Sequence, residues 1–264
     1  MTHNIDKHNF SESVALITGS SNGIGAAIAV ALCSYGCKVV ITGRSAVALE
    51  KVAQDAAKAS GGIASLQIVG DLLDDTFPSR LIAETIAKFG KLDFLVNNAG
   101  SMMGRTTLSD TKFLQEFDKL VNLNARCVVN LTQLAVPHLK QSKGAAILNI
   151  GSIASQQPWS GILPYCVSKA MLNSITKTTA LELGKYSIRV NIINPGAVDT
   201  DIYRSMEMSH QDWTQFMQRK EQTSLLKLVA QPDDIAHLAC FLLSQDAKNV
   251  TGSIFTSDTG ASLK

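Results

Sequence analysis

The sequence predicts an α/β fold in which a predominantly parallel sheet of seven strands is covered by helices on both faces. Short apolar runs alternate along the chain with segments of helical character, which is typical of parallel strands joined by crossover helices. A glycine-rich turn follows the first of these runs. The 264 residues are 45% hydrophobic and 17% charged, and no linker or repeat divides them, so we expect one doubly wound domain.

The elements follow one another in a regular order. Residues 1–12 are polar and lack periodicity, which predicts a flexible N-terminal arm ahead of a domain over residues 13–264. The first strand, V-A-L-I-T from Val14, leads through the glycine turn into an alanine-rich helix. Further strands are predicted at 38–42, 65–69, 92–96, 145–150, 188–193 and 253–257, and further helices at 45–59, 76–89, 167–184 and 232–243.

The glycine turn, G-S-S-N-G-I-G, lies between a strand and a helix, which is the arrangement of a phosphate-binding loop. Gly19 would permit the tight turn, Gly23 would let the backbone approach a pyrophosphate, and Gly25 would allow the helix to pack closely on the sheet. The spacing differs from the usual dinucleotide fingerprint, and an ordinary tight turn would also explain the glycines. In this context we favour nucleotide binding.

The end of the second strand bears on which nucleotide is bound. In dinucleotide-binding folds an acid at this point binds the ribose 2′-hydroxyl, whereas an arginine favours a 2′-phosphate. The sequence here is T-G-R, with Arg44 and no acid before Glu50. A guanidinium suits a phosphate dianion, so Arg44 favours NADP(H) over NAD(H), although a solvated surface arginine is the alternative explanation.

Composition excludes several classes of function. The formal net charge is only +2, so neither a nucleic-acid nor a membrane-surface binder is expected, and the partner is predicted to be a small molecule. The five cysteines show no metal-ligand spacing, which favours reduced, buried thiols and no metal site. No apolar stretch is long enough for a membrane span, so a cytoplasmic protein is expected.

Tyr165 and Lys169 are the candidate catalytic pair. At four residues apart on a helix they lie about 40° apart and roughly 6 Å along the axis, so they share a face. Bringing a phenol from a pKa of about 10 to about 7 requires some 4 kcal/mol, which a nearby ammonium in a dry site could supply. Ser152, thirteen residues before Tyr165, provides a hydroxyl as a third proton-handling group. A packed ring beside a solvated amine would explain the spacing equally well.

Several short motifs place this pair in a wider pattern. They are T-G-S-S-N-G-I-G (18–25), Asp71 after the third strand, N-N-A-G (97–100), N-L-N-A (122–125), Ser152, Y-C-V-S-K (165–169) and N-P-G-A-V-D-T (194–200). In order and spacing they resemble the short-chain dehydrogenase/reductase family over nearly the whole chain. The resemblance implies a Rossmann-type fold and an oxidoreductase that transfers hydride between NADP(H) and a carbonyl or alcohol. A non-catalytic NADP(H)-binding or regulatory protein of the same fold is the alternative.

The resemblance also implies roles for individual residues. Tyr165 would be the general acid/base, Lys169 would lower its pKa and hold the nicotinamide ribose, and Ser152 would bind the carbonyl oxygen. Asn122 would anchor a water of the proton relay, with Asn124 as the alternative. The cofactor is expected to contact Gly19, Ser21, Asn22, Gly23, Ile24, Gly25, Arg44, Asp71, Asn98, Tyr165, Lys169, Val198 and Thr200.

Variable segments are expected to form the substrate pocket, with a lid around residues 200–228. Their methionines and aromatic residues favour a small apolar carbonyl or alcohol over a charged one. The candidates are Met102, Met103, Ile153, Ala154, Trp159, Leu163, Tyr203, Met206, Met208, Trp213, Phe216 and Met217. Few charges lie on the helix over 167–184, and the family's habit of dimers and tetramers predicts a homotetramer or homodimer.

Overall fold

In the computed structural model, which describes residues 9–102, 104–200, 202 and 209–263, all seven expected strands pair in one sheet. They are β1 (Val14–Thr18), β2 (Lys38–Gly43), β3 (Leu66–Val69), β4 (Phe94–Asn97), β5 (Ala146–Ile150), β6 (Arg189–Pro195) and β7 (Ile254–Ser257). Every pairing is parallel, and the spatial order is β3-β2-β1-β4-β5-β6-β7. The predicted doubly wound fold is therefore confirmed.

Eight α-helices of the described chain connect and cover these strands. They are α1 (Gly23–Ser34), α2 (Ala46–Ala59), α3 (Phe77–Phe89), α4 (Phe113–Val121), α5 (Cys127–Leu139), α6 (Leu163–Leu183), α7 (His210–Thr223) and α8 (Pro232–Leu243). Helices α4 and α5 join through a wider π-helical turn over Asn122–Arg126. Neither α4 nor α5 is among the helices that the sequence predicts.

The alternation of side chains along the strands creates two hydrophobic cores. In β1, Ile17 points into a core formed with α1, α2 and α8, whereas its neighbour Leu16 points into a core formed with α3, α5 and α6. All five residues of β1 are buried, as the continuous apolar run predicts for a strand covered on both faces. The sheet is consequently a rigid platform with both faces enclosed.

Strand order fixes where a ligand can enter. The chain builds outward from β1 through β2 to β3 on one side, and then returns to add β4 on the other side of β1. Crossover helices therefore leave the sheet on opposite faces at this point, and a crevice opens at the carboxyl ends of the strands. The glycine turn after β1 lies at this switch point.

The N-terminal boundary differs from the prediction. Phe10 was assigned to the flexible arm, but its side chain is only 3% exposed and its ring centre lies 5.5 Å from that of Phe94. Its backbone N–H also donates to the Tyr35 carbonyl at 3.0 Å. An aromatic ring that buries this much apolar area packs with the core, so the domain begins before residue 13. Residues 1–8 of the arm lie outside the described part of the chain.

Candidate active site

A cleft of about 840 Å³ runs along the carboxyl edge of the sheet. Six successive strands contribute to its floor through the residues at or just beyond their ends, namely Gly19, Gly43, Gly70, Asn98, Gly151 and Gly196. This is the position that the switch point of the strand order predicts. In the described residues there is no cluster of metal-ligating side chains, and no helix is both long and apolar enough to cross a membrane.

The glycine turn is packed too closely for side chains. Gly19 has φ +62°, and a Cβ added there would lie 2.8 Å from the Cα of Ala99. A Cβ on Gly25 would overlap the amide nitrogen of Asn98. That amide donates to the carbonyls of Thr18 (2.9 Å) and Gly19 (3.0 Å), so it braces the turn against β4. Backbone, and not side chain, is thereby presented to the cleft.

The predicted cofactor residues fall into two groups. Gly25 does not line the cleft, because it packs beneath the turn against Asn98. The Nδ2 group of Asn98 donates its hydrogen bonds to carbonyls at the turn and is used to hold the turn in place. Val198 is buried and pairs with Ala230, and a Cβ on Gly23 would lie 3.2 Å from Cγ2 of Thr200, so the segment after β6 lies against the glycine turn. The other predicted cofactor residues all line the cleft: Gly19, Ser21, Asn22, Gly23, Ile24, Arg44, Asp71, Asn98, Tyr165, Lys169, Val198 and Thr200.

At one end of the cleft, Arg44 and Asp71 follow β2 and β3. Arg44 is exposed and immediately succeeds the last residue of β2. Asp71 accepts a hydrogen bond from the backbone N–H of Leu73 at 3.0 Å, which orients its carboxylate at the rim. A guanidinium and a carboxylate are therefore available here for the adenosine portion of a dinucleotide.

Ser152, Tyr165 and Lys169 meet at the centre of the cleft. Ser152 follows β5, and its backbone N–H donates to Asn194 Oδ1 at 3.1 Å. Tyr165 lies in the first turn of α6, one helical turn before Lys169. The Lys169 ammonium is 5.8 Å from the centre of the Tyr165 ring and donates to the Ile150 carbonyl at 3.0 Å. The spacing in the sequence therefore brings both side chains to one place.

The electrostatics of the pair differ from the expectation. Burial raises the pKa of Tyr165 to about 12, and a hydrogen bond from Ser152 offsets only part of that rise. Burial also lowers the pKa of Lys169 to about 8. Removal from water disfavours the charged form of both groups, so burial is the largest effect on the pKa of the phenol. Near neutrality the phenol is protonated, which is the form that can donate a proton to a carbonyl oxygen.

Neither asparagine of the N-L-N-A motif lines the cleft, but Asn124, and not Asn122, lies close to Lys169. Asn122 is exposed at the start of the π-helical turn, whereas Asn124 is fully buried. Asn124 accepts from the Ser101 N–H at 2.9 Å and donates to the Ser101 carbonyl at 2.9 Å and to Ser168 Oγ at 3.0 Å. The assignment of Asn122 is wrong on position, because its side chain is exposed whereas that of Asn124 is buried close to Lys169. Asn124, the alternative residue of the N-L-N-A motif, is therefore the candidate for the role assigned to Asn122.

Comparisons with known proteins agree with this geometry. A family model described as enoyl-(acyl carrier protein) reductase matches residues 19–262. The chain is 31% identical to the short-chain dehydrogenase/reductase FrzI of Cladobotryum sp over 256 residues, which cover 94% of this chain and 95% of the relative. A short-chain dehydrogenase/reductase of unknown function from Caenorhabditis elegans, solved with cofactor, superimposes with a TM-score of 0.91 at 33% identity over 96% of both chains.

The chain belongs to the short-chain dehydrogenase/reductase family. It is therefore an oxidoreductase that acts on alcohol or carbonyl groups of small molecules. Also similar is the L-sorbose reductase of Gluconobacter frateurii, solved with NADPH and L-sorbose, which has a TM-score of 0.88 at 30% identity and covers 96% of this chain and 98% of that one. Relatives of this enzyme thus bind nicotinamide cofactors in the same fold.

The substrate end of this dehydrogenase/reductase agrees in part with the expected pocket. Met102, Ile153, Trp159 and Phe216 line the cleft. Ala154 packs behind Tyr165, Leu163 lies outside the lining, and Trp213 and Met217 line a separate shallow groove. Met103, Tyr203, Met206 and Met208 lie outside the described residues.

Two residues that line the cleft, Arg105 and Lys220, are not among the residues that the sequence predicts for the substrate pocket. They come from the segment after β4 and from α7, which are more than a hundred residues apart in sequence. No local spacing connects them, so only the fold reveals that they share a cleft.

Proposed function

We propose that this enzyme transfers hydride between NADP(H) and the carbonyl or alcohol of a small molecule, with Tyr165 as the general acid/base. The observation that carries the proposal is the convergence of Ser152, Tyr165 and Lys169 on one cleft that also contains the glycine turn. Carbonyl reduction requires a hydride donor and a proton donor, and a cofactor bound in this cleft would lie beside the phenol of Tyr165.

The cleft fits a dinucleotide of this kind. Gly19 and Gly25 leave no room for side chains, so the backbone N–H groups at the start of α1 are open to a pyrophosphate. Arg44 supports a preference for NADP(H), because it follows β2 directly and the sequence has no acid between Arg44 and Glu50 to bind a ribose hydroxyl. The NADPH-bound relative named above is consistent with that choice.

The protein's own residues would divide the remaining work. The bound nicotinamide cofactor supplies or accepts the hydride. Ser152 and Tyr165 would hydrogen-bond the substrate oxygen, and the protonated phenol would release its proton to that oxygen during reduction. The Lys169 ammonium is held by the Ile150 carbonyl and has further N–H groups with which to bind a ribose hydroxyl. Its charge would favour the phenolate that proton donation leaves behind.

Asn124 would take the position that the sequence motif assigns to the proton relay. A Cβ placed on Gly100 would lie 3.1 Å from Asn124 Oδ1 and 3.3 Å from Lys169 Nζ, so these groups meet at one point. Because Asn124 is fixed by both Ser101 and Ser168, it would hold a water beside Lys169 without moving.

Replacement of the phenol hydroxyl tests the proposed chemistry. We expect Tyr165→Phe to lower kcat for reduction of a carbonyl panel by about a hundredfold or more, the usual contribution of a general acid, while NADPH binding is retained. Tyr186→Phe, at a half-exposed tyrosine far from the cleft lining, is the matched control and should behave as wild type. Equal turnover by Tyr165→Phe and wild type would refute the role of Tyr165.

Replacement of Arg44 tests the proposed cofactor. Loss of a charge-assisted contact with the 2′-phosphate should raise the KM for NADPH about tenfold and leave that for NADH nearly unchanged in Arg44→Ala. Lys51→Ala removes a nearby exposed charge from α2 and is the control. An unchanged ratio of the two KM values in Arg44→Ala would show that this arginine does not select the cofactor.

Helix α7, within the expected lid over 200–228, would close the substrate end, since Phe216 on this helix lines the cleft. Apolar walls at Met102, Ile153 and Trp159 favour a substrate with an apolar skeleton. We further propose a homotetramer or homodimer, because α4, α5 and α6 all carry exposed apolar side chains, Leu114, Val129 and Leu181 among them, which a subunit interface would cover.

A further inference from the structure

The charges that line the cleft are unequally distributed. Four cationic side chains border it, Arg44, Arg105, Lys169 and Lys220, and among the described lining residues Asp71 is the single acid. Asp71 lies beside Arg44 at the adenosine end, and Lys169 lies at the centre. Arg105 and Lys220 therefore give the substrate end a positive charge with no described carboxylate in its lining.

Both cations approach the same loop, residues 159–162, which leads directly into α6. The Lys220 ammonium lies 5.4 Å from the ring centre of Trp159. A Cβ on Gly161 would lie 3.2 Å from Nε of Arg105, so the guanidinium rests against the bare backbone at this point. The N–H of Thr106 fixes this arrangement by donating to the Gly161 carbonyl at 2.9 Å. The loop that both positive groups contact therefore ends directly before the first turn of α6, which carries Tyr165.

Neither cation has an anionic partner in the described part of the protein. None of the salt bridges formed by described residues includes Arg105 or Lys220. Lys220 is half-buried, and this burial lowers its pKa. A partly desolvated ammonium is costly unless a partner compensates for the lost water. An anion entering the cleft would provide such a partner.

A purely structural role for Lys220 is the competing explanation. Its ammonium lies over the rings of Trp159 and Phe216, at 5.4 and 5.2 Å from their centres, and such contacts are stabilising on their own. Aromatic faces, however, replace only part of the hydration of an ammonium with three N–H donors. They also give no reason for the second cation, Arg105, on the other side of the same loop.

We propose that the substrate carries an anionic group, a carboxylate or a phosphate ester, which Lys220 and Arg105 bind while its carbonyl or hydroxyl carbon faces Ser152 and Tyr165. Its skeleton would pack on Trp159. This inference rests on the proposed function and changes the substrate class, since the apolar composition of the pocket-forming segments favours an uncharged compound. The apolar walls would shape the body of the substrate, and the two cations would select its charged end.

Matched pairs of substrates test the charge requirement directly. Reduction by NADPH is measured for pyruvate, levulinate and benzoylformate, each against its methyl ester, and for dihydroxyacetone phosphate against dihydroxyacetone. A charge-assisted contact in a half-exposed site predicts that kcat/KM is about tenfold higher for the anion in the best pair. The pair with the largest ratio distinguishes a carboxylate from a phosphate ester. If every neutral partner is reduced as well as its anion, the proposal is overturned.

Charge-removing variants assign the effect to particular side chains. Lys220→Met and Arg105→Met should each bring the ratio of kcat/KM for the anion to kcat/KM for its neutral partner close to one. Arg219→Met is the matched control, because it removes one positive charge from an exposed, adjacent position of α7 that does not line the cleft. A ratio that survives in both Lys220→Met and Arg105→Met would refute the assignment.

A binding measurement separates this inference from the proposed function. Titration calorimetry of the enzyme–NADP⁺ complex with benzoylformate and with its methyl ester does not depend on turnover. Tighter binding of the acid, lost in Lys220→Met, supports the anion site even if no ketone is reduced. Reduction of neutral ketones with equal binding of acid and ester supports the proposed function and overturns the anion site.

Discussion

Asn122 and Asn124 provide a matched pair of identical side chains, two residues apart, for which the structure predicts opposite results. Asn124→Ala removes three hydrogen bonds of a fully buried amide, two to the backbone of Ser101 and one to Ser168. Asn122→Ala removes an exposed amide for which no side-chain hydrogen bond is present among the described residues. Both substitutions favour helix formation equally, so intrinsic propensity cancels from the comparison.

The expected magnitude follows from the hydrogen bonds that are lost. Each buried hydrogen bond contributes about 1 kcal/mol net, so Asn124→Ala should lower the free energy of unfolding by about 3 kcal/mol. For a chain of this size that corresponds to a fall in Tm of about 6–12 °C. Asn122→Ala should stay within about 0.5 kcal/mol of wild type, as is usual for surface substitutions.

Urea unfolding and steady-state kinetics check these values. We expect Asn124→Ala to lose kcat as well as stability, because the amide lies beside Lys169, and Asn122→Ala to retain both. Asn124→Asp keeps the shape and tests whether the amide N–H donors are needed. Equal losses of stability in the two alanine variants, or a larger loss in Asn122→Ala, would refute the placement of these residues.

Three further outcomes follow from the structure. Lys169→Met should abolish turnover yet raise the free energy of unfolding at pH 7 by about 1–2 kcal/mol. Burial lowers the pKa of Lys169 from 10.5 to about 8, which corresponds to about 3 kcal/mol of unfavourable free energy that the variant avoids. Loss of the hydrogen bond to the Ile150 carbonyl offsets part of this gain. Because the pKa of Lys169 is lower in the folded than in the unfolded state, wild type gains stability as the pH rises from 8 to 10.5. The difference in unfolding free energy between variant and wild type, measured by urea titration, should therefore shrink across that range. A difference that stays constant with pH would contradict the buried ammonium. Gly25→Ala should weaken NADPH binding at least tenfold, because the added Cβ would overlap the Asn98 amide that braces the glycine turn. Fluorescence titration measures this affinity, and unchanged binding would count against the close packing at Gly25. Light scattering at micromolar concentration should give the mass of a dimer or tetramer, and the 28.3 kDa of a single chain would disprove the proposed assembly.

Much of the fold follows from local patterns in the sequence. The central strands β1, β4, β5 and β6 are buried along their whole length, and strands buried on both faces carry apolar runs with little alternation, which is why they could be predicted. The Tyr165 and Lys169 pair could be predicted because helical spacing alone brings residues four apart together. The glycine turn was recognisable because a strand precedes it and a helix follows.

Other features depend on contacts that no local pattern records. Helix α5 contains several β-branched residues and Pro137, which lower intrinsic helix propensity, so tertiary packing decides its conformation. The protonation state of Tyr165 is set by the burial that the whole fold imposes. Arg105 and Lys220 share a cleft only because the segment after β4 and helix α7 both contact the loop over residues 159–162. The choice between Asn122 and Asn124 had a usable signal, because Leu120, Asn124 and Val128 repeat every four residues and share the buried face.

The π-helical turn over Asn122–Arg126 has a consequence for how α4 and α5 join. Such a turn holds one residue more than an α-helix needs, and the backbone N–H of Cys127 reaches back five residues to the Asn122 carbonyl. Loss of a single residue here would let α4 run straight into α5 without rotating the packed faces on either side. The extra residue therefore lets α4 and α5 keep their packed faces while the Asn124 amide reaches Ser101 and Ser168.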